Sequence, residues 1–102
     1  MFQQKIINFK INIMKLEELY DIIKKRRKEK PSGSYVASLT DDRIIQKVGE
    51  EAVEVVIAAK NTDKIKIISE SADLIFHLMI MLENSDIRLD EIYKELNERH
   101  KK

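Results

Sequence analysis

The chain of 102 residues carries a formal net charge of +1, with 43% hydrophobic and 36% charged residues, which predicts one globular domain with a single core. Two glycines and one proline are too few for the frequent turns of a sandwich or barrel, and the near-zero charge does not predict a nucleic-acid partner. No apolar run reaches transmembrane length, so no membrane partner is expected. The absence of cysteine excludes disulfides, thiolate metal sites and cysteine nucleophiles, and it favours a cytoplasmic location.

Residues 1–13 differ in pattern from the rest of the chain. Phe9, Ile11 and Ile13 alternate with polar residues as in a strand, whereas Met14 is followed directly by a helical pattern. The segment is too polar for a signal peptide. We therefore interpret residues 1–13 as an N-terminal extension or alternative-start segment, and residues 14–102 as the folded domain.

Four helices are predicted from apolar residues at three- and four-residue spacing. The first ends where Pro31 and Gly33 interrupt the pattern, and Asn61 is expected to end the second. The helices are predicted at about residues 15–28, 41–60, 64–83 and from about 86 onward, with N-caps at Thr40, at Thr62 or Asp63, and at Ser85 or Asp86. Short connections make the last three helices antiparallel neighbours, so we expect an all-α antiparallel bundle of about four helices.

The second predicted helix carries carboxylates beside its apolar face. At about 100° per residue, one broad apolar stripe contains Ile44, Ile45, Val48, Ala52, Val55, Val56 and Ala59. Glu51 borders that stripe, and Glu54 lies beside it. Val53 and Ile57 form a second apolar strip on the far side of Glu50, so the acids have apolar residues on both sides, whereas an ordinary solvated face would form a broader polar arc.

The third predicted helix is apolar at every position from Leu74 to Leu82 except His77, so we expect it to be buried almost all round. Its polar residues share one narrow arc, which holds Lys66, Glu70, Asp73 and His77. Burying carboxylates on such a helix costs several kcal/mol each unless a cation compensates for their charge.

Both helices therefore carry a pair of acids at the same three-residue spacing, which places the two side chains of each pair on one side of its helix. A hairpin with its turn near Asn61 would bring the pairs together, and the four predicted metal ligands are Glu51, Glu54, Glu70 and Asp73. An oxygen-rich site of this kind suits a hard cation, Mg²⁺ or alternatively Mn²⁺. Because Mg²⁺ commonly bridges to phosphates, the expected substrate carries a di- or triphosphate.

Each of these observations has a simpler alternative. Acidic pairs at this spacing are common on solvated helix surfaces without a metal. A histidine on an apolar helix is more often a hydrogen-bonded core residue than a metal ligand, and this is our interpretation of His77. The basic run from Lys24 to Lys28 is interpreted as a solvated face near a helix C-terminus, with a phosphate-binding patch as the alternative.

The segments from Lys47 to Glu54 and from Glu70 to Leu78 resemble the phosphoribosyl-ATP pyrophosphohydrolase family. This family belongs to the MazG-like superfamily of all-α nucleotide pyrophosphohydrolases, whose pattern is E-E-x-x-E followed by E-x-x-D. Three motifs favour the histidine-biosynthesis family within that superfamily. They are Lys-x-Gly-Glu-Glu-Ala at the start of the first segment, Asp-Leu-x-x-His-Leu at the end of the second, and Gly33-Ser34-Tyr35 upstream of both. The resemblance covers residues 15–99.

The resemblance implies hydrolysis of phosphoribosyl-ATP to phosphoribosyl-AMP and pyrophosphate, the second step of histidine biosynthesis. It also implies a homodimer, or a higher homo-oligomer, whose helices complete a bundle around each active site. It places the metal ligands on the same four acids and makes Glu50 and Glu51 catalytic, with Glu50 near enough to orient water. Candidate substrate contacts are Ser34, Tyr35, Arg43, Lys47 and Arg99.

One segment departs from the family pattern. Val36 follows Ser34-Tyr35 where relatives usually have threonine, and Leu39 leads directly to Thr40 without a longer glycine-containing stretch. Two other functions share part of the pattern: a housecleaning pyrophosphohydrolase acting on nucleoside triphosphates, and a non-catalytic helical dimerisation module. A di-iron carboxylate protein is less consistent with the sequence, because the Glu-x-x-His pairs of that class are missing.

Overall fold

A computed structural model of the protein describes residues 14–101, and within that range all regular structure is helical. The five helices are α1 (Leu16–Glu29), α2 (Tyr35–Ser38), α3 (Asp41–Lys60), α4 (Lys64–Asn84) and α5 (Leu89–His100). The all-α prediction is confirmed, and the four long helices are the predicted ones. The one-turn helix α2 lies in the connector between α1 and α3 (residues 34–39), where the sequence predicts no helix. The strand-like alternation at Phe9, Ile11 and Ile13 lies outside the described residues.

Local hydrogen bonds explain the ends of the first three long helices. Lys30 ends α1 in the left-handed conformation (φ 50°), with its N–H donating to Arg26 O at 2.8 Å. Thr40 caps α3 as predicted, because its Oγ1 accepts from Arg43 N at 3.3 Å. Of the two candidate caps for α4 it is Asp63 that serves, accepting from the backbone N–H of Lys66 at 3.1 Å.

The predicted start of the last helix is wrong. Its N-cap is Arg88, whose N–H donates to Glu91 Oε2 at 2.9 Å, and neither Ser85 nor Asp86 caps it. These two residues instead end α4: Asp86 takes the left-handed conformation (φ 58°), and Ile87 N donates to Leu82 O at 2.9 Å. Aspartate is favoured both at N-caps and in left-handed turns, so its presence alone does not distinguish the two.

Helices α3 and α4 form an antiparallel hairpin whose turn lies at residues 61–63 and which makes most of the tertiary contacts. The hydrophobic core lies at the other end of this hairpin, where α1, α2 and the start of α5 pack against it. The core residues are Tyr20, Ile23, Val36, Ile44, Met79, Ile80, Leu82 and Leu89. Tyr20 also donates its hydroxyl hydrogen to Ile87 O at 2.7 Å, which fixes the approach to α5.

Near the turn of the hairpin, large apolar side chains are exposed to solvent. Ile65 and Ile68 are 81% and 62% exposed, so the prediction that this helix is buried almost all round is wrong for the single chain. The reason is that α1 packs on α4 only over its C-terminal part. The Cα radius of gyration is 16.1 Å, compared with about 13 Å for a compact domain of about 100 residues. Within residues 14–101, no helix combines the length and hydropathy that crossing a bilayer requires.

The cap assignments lead to a direct test. Asp63→Ala should lower the free energy of unfolding by about 1 kcal/mol, because the first turn of α4 loses a side-chain acceptor. Ser85→Ala should change it by less than about 0.5 kcal/mol, because Ser85 ends α4 through its backbone N–H, which alanine retains. Urea unfolding of both variants, at one protein concentration, measures the difference. Equal losses for the two variants would contradict the assignment of the caps.

Candidate metal and phosphate site

Three of the four predicted ligands come together between α3 and α4. One carboxylate oxygen from each of Glu51, Glu70 and Asp73 lies within 4.8 Å of the other two. Glu70 and Asp73 are one turn apart on α4, and the hairpin brings Glu51 of α3 opposite them. The predicted convergence of the two helices is thus present in the structure.

Glu51 is placed more centrally than the sequence predicted. It lies in the middle of the buried face of α3 rather than at its border, between Ile44 and Ala58, which are 1% and 3% exposed. Glu51 itself is 9% exposed. A carboxylate at such a position requires compensation by a cation or by hydrogen bonds.

Lys47 provides that compensation in the described structure. Its Nζ lies 3.0 Å from Glu51 Oε1, one helical turn away, and 3.7 Å from Glu50 Oε1. The hydrogen bond to Glu51 raises the pKa of Lys47, and the charges of Glu51, Tyr35 and Glu50 add to the effect while burial opposes it. Lys47, a predicted phosphate contact, therefore borders the acidic group directly.

Glu50 and Arg43 lie on the more exposed edge of α3. Arg43 Nη1 donates to Glu50 Oε2 at 3.1 Å, and both side chains are a little over 40% exposed. Glu50 is outside the group formed by Glu51, Glu70 and Asp73, and its carboxylate faces two cations. Its assignment as the residue that orients water stays a prediction.

Glu54, the fourth predicted ligand, also stands apart from the three-carboxylate group. It is exposed on α3 one turn towards the hairpin turn. Together with Glu70, Lys66 and Asp63 it lines a cavity of about 160 Å³ near the turn. Glu70 therefore belongs both to the carboxylate group and to the wall of this cavity, so the two are continuous.

His77 is a hydrogen-bonded core residue, as interpreted from the sequence. It is 7% exposed, its Nδ1 lies 2.7 Å from the backbone oxygen of Asp73, and its Nε2 lies 2.9 Å from Tyr35 Oη. The Tyr35 ring also lies near Phe76, with centroids 6.4 Å apart. Tyr35 of the connector is thereby tied to α4 one turn from a predicted metal ligand.

The remaining predicted contacts have local partners. Ser34 Oγ accepts from Ala37 N at 3.3 Å and so caps α2. Arg99 is exposed near the end of α5 and donates to Glu95 Oε2 at 3.0 Å. The basic run of α1 is exposed except for Arg27, whose Nε lies 2.5 Å from Glu83 Oε1, in agreement with a mainly solvated face.

The donor set fits a hard divalent cation. All three converging groups are carboxylates, and Mg²⁺ or Mn²⁺ prefers oxygen ligands. Ligand oxygens on opposite sides of one Mg²⁺ are separated by about 4 Å, and the three carboxylate oxygens lie within 4.8 Å of one another, so the group is close in size to a single cation site. Lys47, which contacts Glu51, and Arg43, which contacts Glu50, are cations of the kind that bind phosphate oxygens.

An all-α hairpin that combines an acidic cluster with bordering cations has the parts expected of a nucleotide pyrophosphohydrolase. Comparison with known proteins specifies the family. Residues 16–100 match the profile of phosphoribosyl-ATP pyrophosphohydrolase, and the chain belongs to this family.

Individual relatives agree with this assignment. The chain is 45% identical over 89 residues to a phosphoribosyl-ATP pyrophosphatase of Methanococcoides burtonii, covering 82% of this chain and 90% of the relative. It is 45% identical over 92 residues to the protein of the same name from Methanosarcina acetivorans, covering 85% and 88%. A histidine biosynthesis bifunctional protein HisIE of Bacteroides thetaiotaomicron is 46% identical over 91 residues, which are 86% of this chain and 45% of that protein.

The ion pair at Glu51 leads to a stability prediction for the metal-free protein. In EDTA, Lys47→Met should lower the free energy of unfolding by about 1–3 kcal/mol, because it leaves a largely buried carboxylate without its cation. Arg43→Met is the matched control: it removes an exposed ion pair and should cost less than about 1 kcal/mol.

A second variant separates the charge effect from packing. Adding Glu51→Gln to Lys47→Met removes the unpaired charge, so the double variant should be more stable than Lys47→Met alone. Urea unfolding at a fixed protein concentration measures all four proteins. A Lys47→Met variant as stable as the wild type would refute the proposed compensation.

Proposed function

We propose that this protein hydrolyses phosphoribosyl-ATP to phosphoribosyl-AMP and pyrophosphate in histidine biosynthesis, with Mg²⁺ as its cofactor. The observation that carries the proposal is the convergence of Glu51, Glu70 and Asp73 at the hairpin. Membership of the phosphoribosyl-ATP pyrophosphohydrolase family and the names of the relatives support the substrate and the pathway. We also predict a cytoplasmic location.

The cation would be held by Glu51, Glu70 and Asp73, with Glu54 as a fourth ligand reached by rotation of its exposed side chain. When bound, a divalent cation supplies Lewis-acid stabilisation of phosphate charge and lowers the pKa of a coordinated water. Mn²⁺ has similar ligand preferences and is the alternative cofactor. Three carboxylates close together in a half-buried site leave an excess of negative charge that favours this cation.

In the reaction, the oxygen of a water molecule forms a bond to the α-phosphorus while the bond from that phosphorus to the α–β bridging oxygen breaks. The electron pair leaves with pyrophosphate, and the water gives up a proton. Glu50 is the proposed acceptor of that proton or the group that orients the water. Lys47 and Arg43 would contact phosphate oxygens, and Ser34, Tyr35 and Arg99 would contact the rest of the substrate.

We further propose that the chain functions as a homodimer. On α4, Ile65, Ile68 and Ile75 continue the same three- and four-residue spacing as Met79 and Leu82, which the core buries. One apolar stripe is thus covered over its C-terminal half and exposed over its N-terminal half. A second copy of this chain would cover the exposed half, because the stripe matches the core-facing pattern of a helical bundle.

Helix α3 supports the same conclusion from the other side of the hairpin. Ile45 and Val56 are 61% and 57% exposed, although both belong to the apolar stripe predicted from the sequence, and Val53 and Ile57 are 56% and 48% exposed. Exposed apolar surface of this extent on both helices of the hairpin is typical of an interaction surface. The dimer would therefore bury the hairpin that carries the acidic group.

The proposed activity has a direct test. Pyrophosphate release from phosphoribosyl-ATP should require Mg²⁺ and should disappear with excess EDTA. Glu51→Gln and Asp73→Asn should each lower kcat/KM by about 100-fold or more, because each removes a ligand charge at the cation. Glu98→Gln, an exposed acid on α5, is the control and should retain wild-type activity.

The same assay separates the alternatives. A housecleaning enzyme would cleave at least one ordinary or damaged nucleoside triphosphate faster than phosphoribosyl-ATP, so a triphosphate panel is run beside it. A non-catalytic module would release no pyrophosphate from any of them, and Mg²⁺ would not raise its melting temperature. Full activity of Asp73→Asn would refute the ligand assignment while leaving the function intact.

The dimer prediction concerns the exposed half of the α4 stripe. Ile68→Glu should convert the dimer to a monomer, because a charge would be buried without a partner at the centre of the interface. Lys25→Glu, an exposed change on α1, should leave the mass unchanged. Light scattering coupled to size-exclusion chromatography measures both. A wild-type chain that is monomeric at micromolar concentration would refute the dimer.

A further inference from the structure

We propose that His77 is a positioning residue: it holds the Tyr35 hydroxyl beside the acids of α4, Glu70 and Asp73. The connector before α3, to which Tyr35 belongs, is held there with it. This inference rests on the proposed function, since it assigns a role in substrate binding. The juxtaposition that carries it is the chain of contacts from Asp73 O through the imidazole of His77 to Tyr35 Oη, at 2.7 and 2.9 Å.

The partners of the imidazole determine its tautomer. A backbone carbonyl oxygen can only accept, so the hydrogen lies on Nδ1 and is donated to Asp73 O. In the neutral ring Nε2 is then an acceptor, and the Tyr35 hydroxyl donates to it. The hydroxyl hydrogen of Tyr35 is thereby directed into α4, and its two lone pairs remain available for other donors.

This contact is the polar connection between the connector and α4. Among the side-chain hydrogen bonds of residues 14–101, it is the one that joins residues 34–40 to that helix. The rest of the connector is held elsewhere: Val36 is 4% exposed in the core, and α2 packs against α1. Without His77, the Tyr35 side chain, which is 46% exposed, would lose its hydrogen bond to α4 and retain only the ring contact near Phe76.

Its contact with His77 places Tyr35 at the edge of the acidic group, because the imidazole that binds its hydroxyl lies one helical turn from Asp73. Lys47 contacts Glu51 of the same group at 3.0 Å. A phosphate-bearing substrate held by a cation at these carboxylates would therefore lie next to the fixed hydroxyl, and the effect of His77 should appear in substrate binding rather than in metal binding.

Two substitutions of His77 separate its two hydrogen bonds. The amide of His77→Asn reaches about as far as Nδ1, so it keeps the donor to Asp73 O and loses the acceptor for Tyr35. The amide of His77→Gln reaches about as far as Nε2 and keeps that acceptor. Tyr35→Phe removes the hydroxyl from the other side and retains the ring near Phe76.

The expected kinetic result is a split between KM and kcat. His77→Asn and Tyr35→Phe should each raise KM for phosphoribosyl-ATP about three- to tenfold, the range of one neutral hydrogen bond, with kcat within about twofold of wild type. The double variant should show no further rise, because both changes remove the same contact. His77→Gln should restore a KM close to that of the wild type, and the affinity for Mn²⁺ should be unchanged in all variants.

A second readout does not depend on activity. In the metal-free chain, the ¹⁵N resonances of His77 should show a protonated Nδ1 and an unprotonated, hydrogen-bonded Nε2, and Tyr35→Phe should shift only the Nε2 resonance. Protonation on Nε2 would overturn the assignment of the contact. This measurement also covers the case in which His77→Asn does not fold, since Tyr35→Phe leaves the core unchanged.

The outcomes distinguish this inference from the function on which it rests. A wild-type chain that releases no pyrophosphate from phosphoribosyl-ATP would refute the proposed function, and the substrate role of His77 with it. If the wild type is active, two results would refute the positioning role and leave the function standing. One is additive KM effects of His77→Asn and Tyr35→Phe in the double variant. The other is a fall in kcat and in Mn²⁺ affinity for His77→Asn alone. A lower melting temperature with unchanged KM would show that His77 is purely structural.

Discussion

Glu51 lies in the middle of the buried face of α3, and its carboxylate is compensated there by the ammonium of Lys47 at 3.0 Å. Much of the site follows from this arrangement. A carboxylate among apolar side chains is stable only with positive charge beside it, and Glu70 and Asp73 add two further acids from α4. One lysine cannot neutralise three carboxylates. The hairpin therefore carries a local excess of negative charge that a divalent cation would remove.

Near its turn, the same hairpin leaves large apolar side chains exposed. Its core lies at the end that holds Ile44 and Ile80, whereas the acidic group lies towards the turn, and Ile68 on the opposite side of α4 is 62% exposed. A site at the end of an incompletely packed hairpin gains rigidity when a partner covers the apolar side. In the proposed dimer, association and site formation would thus be coupled, because both involve the same two helices.

Periodicity predicted the four long helices and the convergence of Glu51, Glu70 and Asp73, because these depend on local spacing and on a short turn. It also predicted Glu54 in the same group, and Glu54 stands apart from it. It did not predict that α4 would be open towards the turn, since coverage by α1 is a property of tertiary packing. Asp86 was misassigned because aspartate suits both an N-cap and a left-handed turn. The contact between Tyr35 and His77 spans 42 residues and has no local signal in the sequence.

The connector shows how the structure accommodates a departure from the family pattern. The single turn of α2 directs its first two residues differently: Val36 enters the core at 4% exposure, while Tyr35 reaches His77. An apolar side chain at position 36 therefore fixes the backbone of the connector, and the histidine fixes the side chain that precedes it. A threonine at position 36 would place a hydroxyl in this core, at a cost unless it found a partner there. The short connector is thus held by one apolar contact and one polar contact, which together determine where Tyr35 lies against α4.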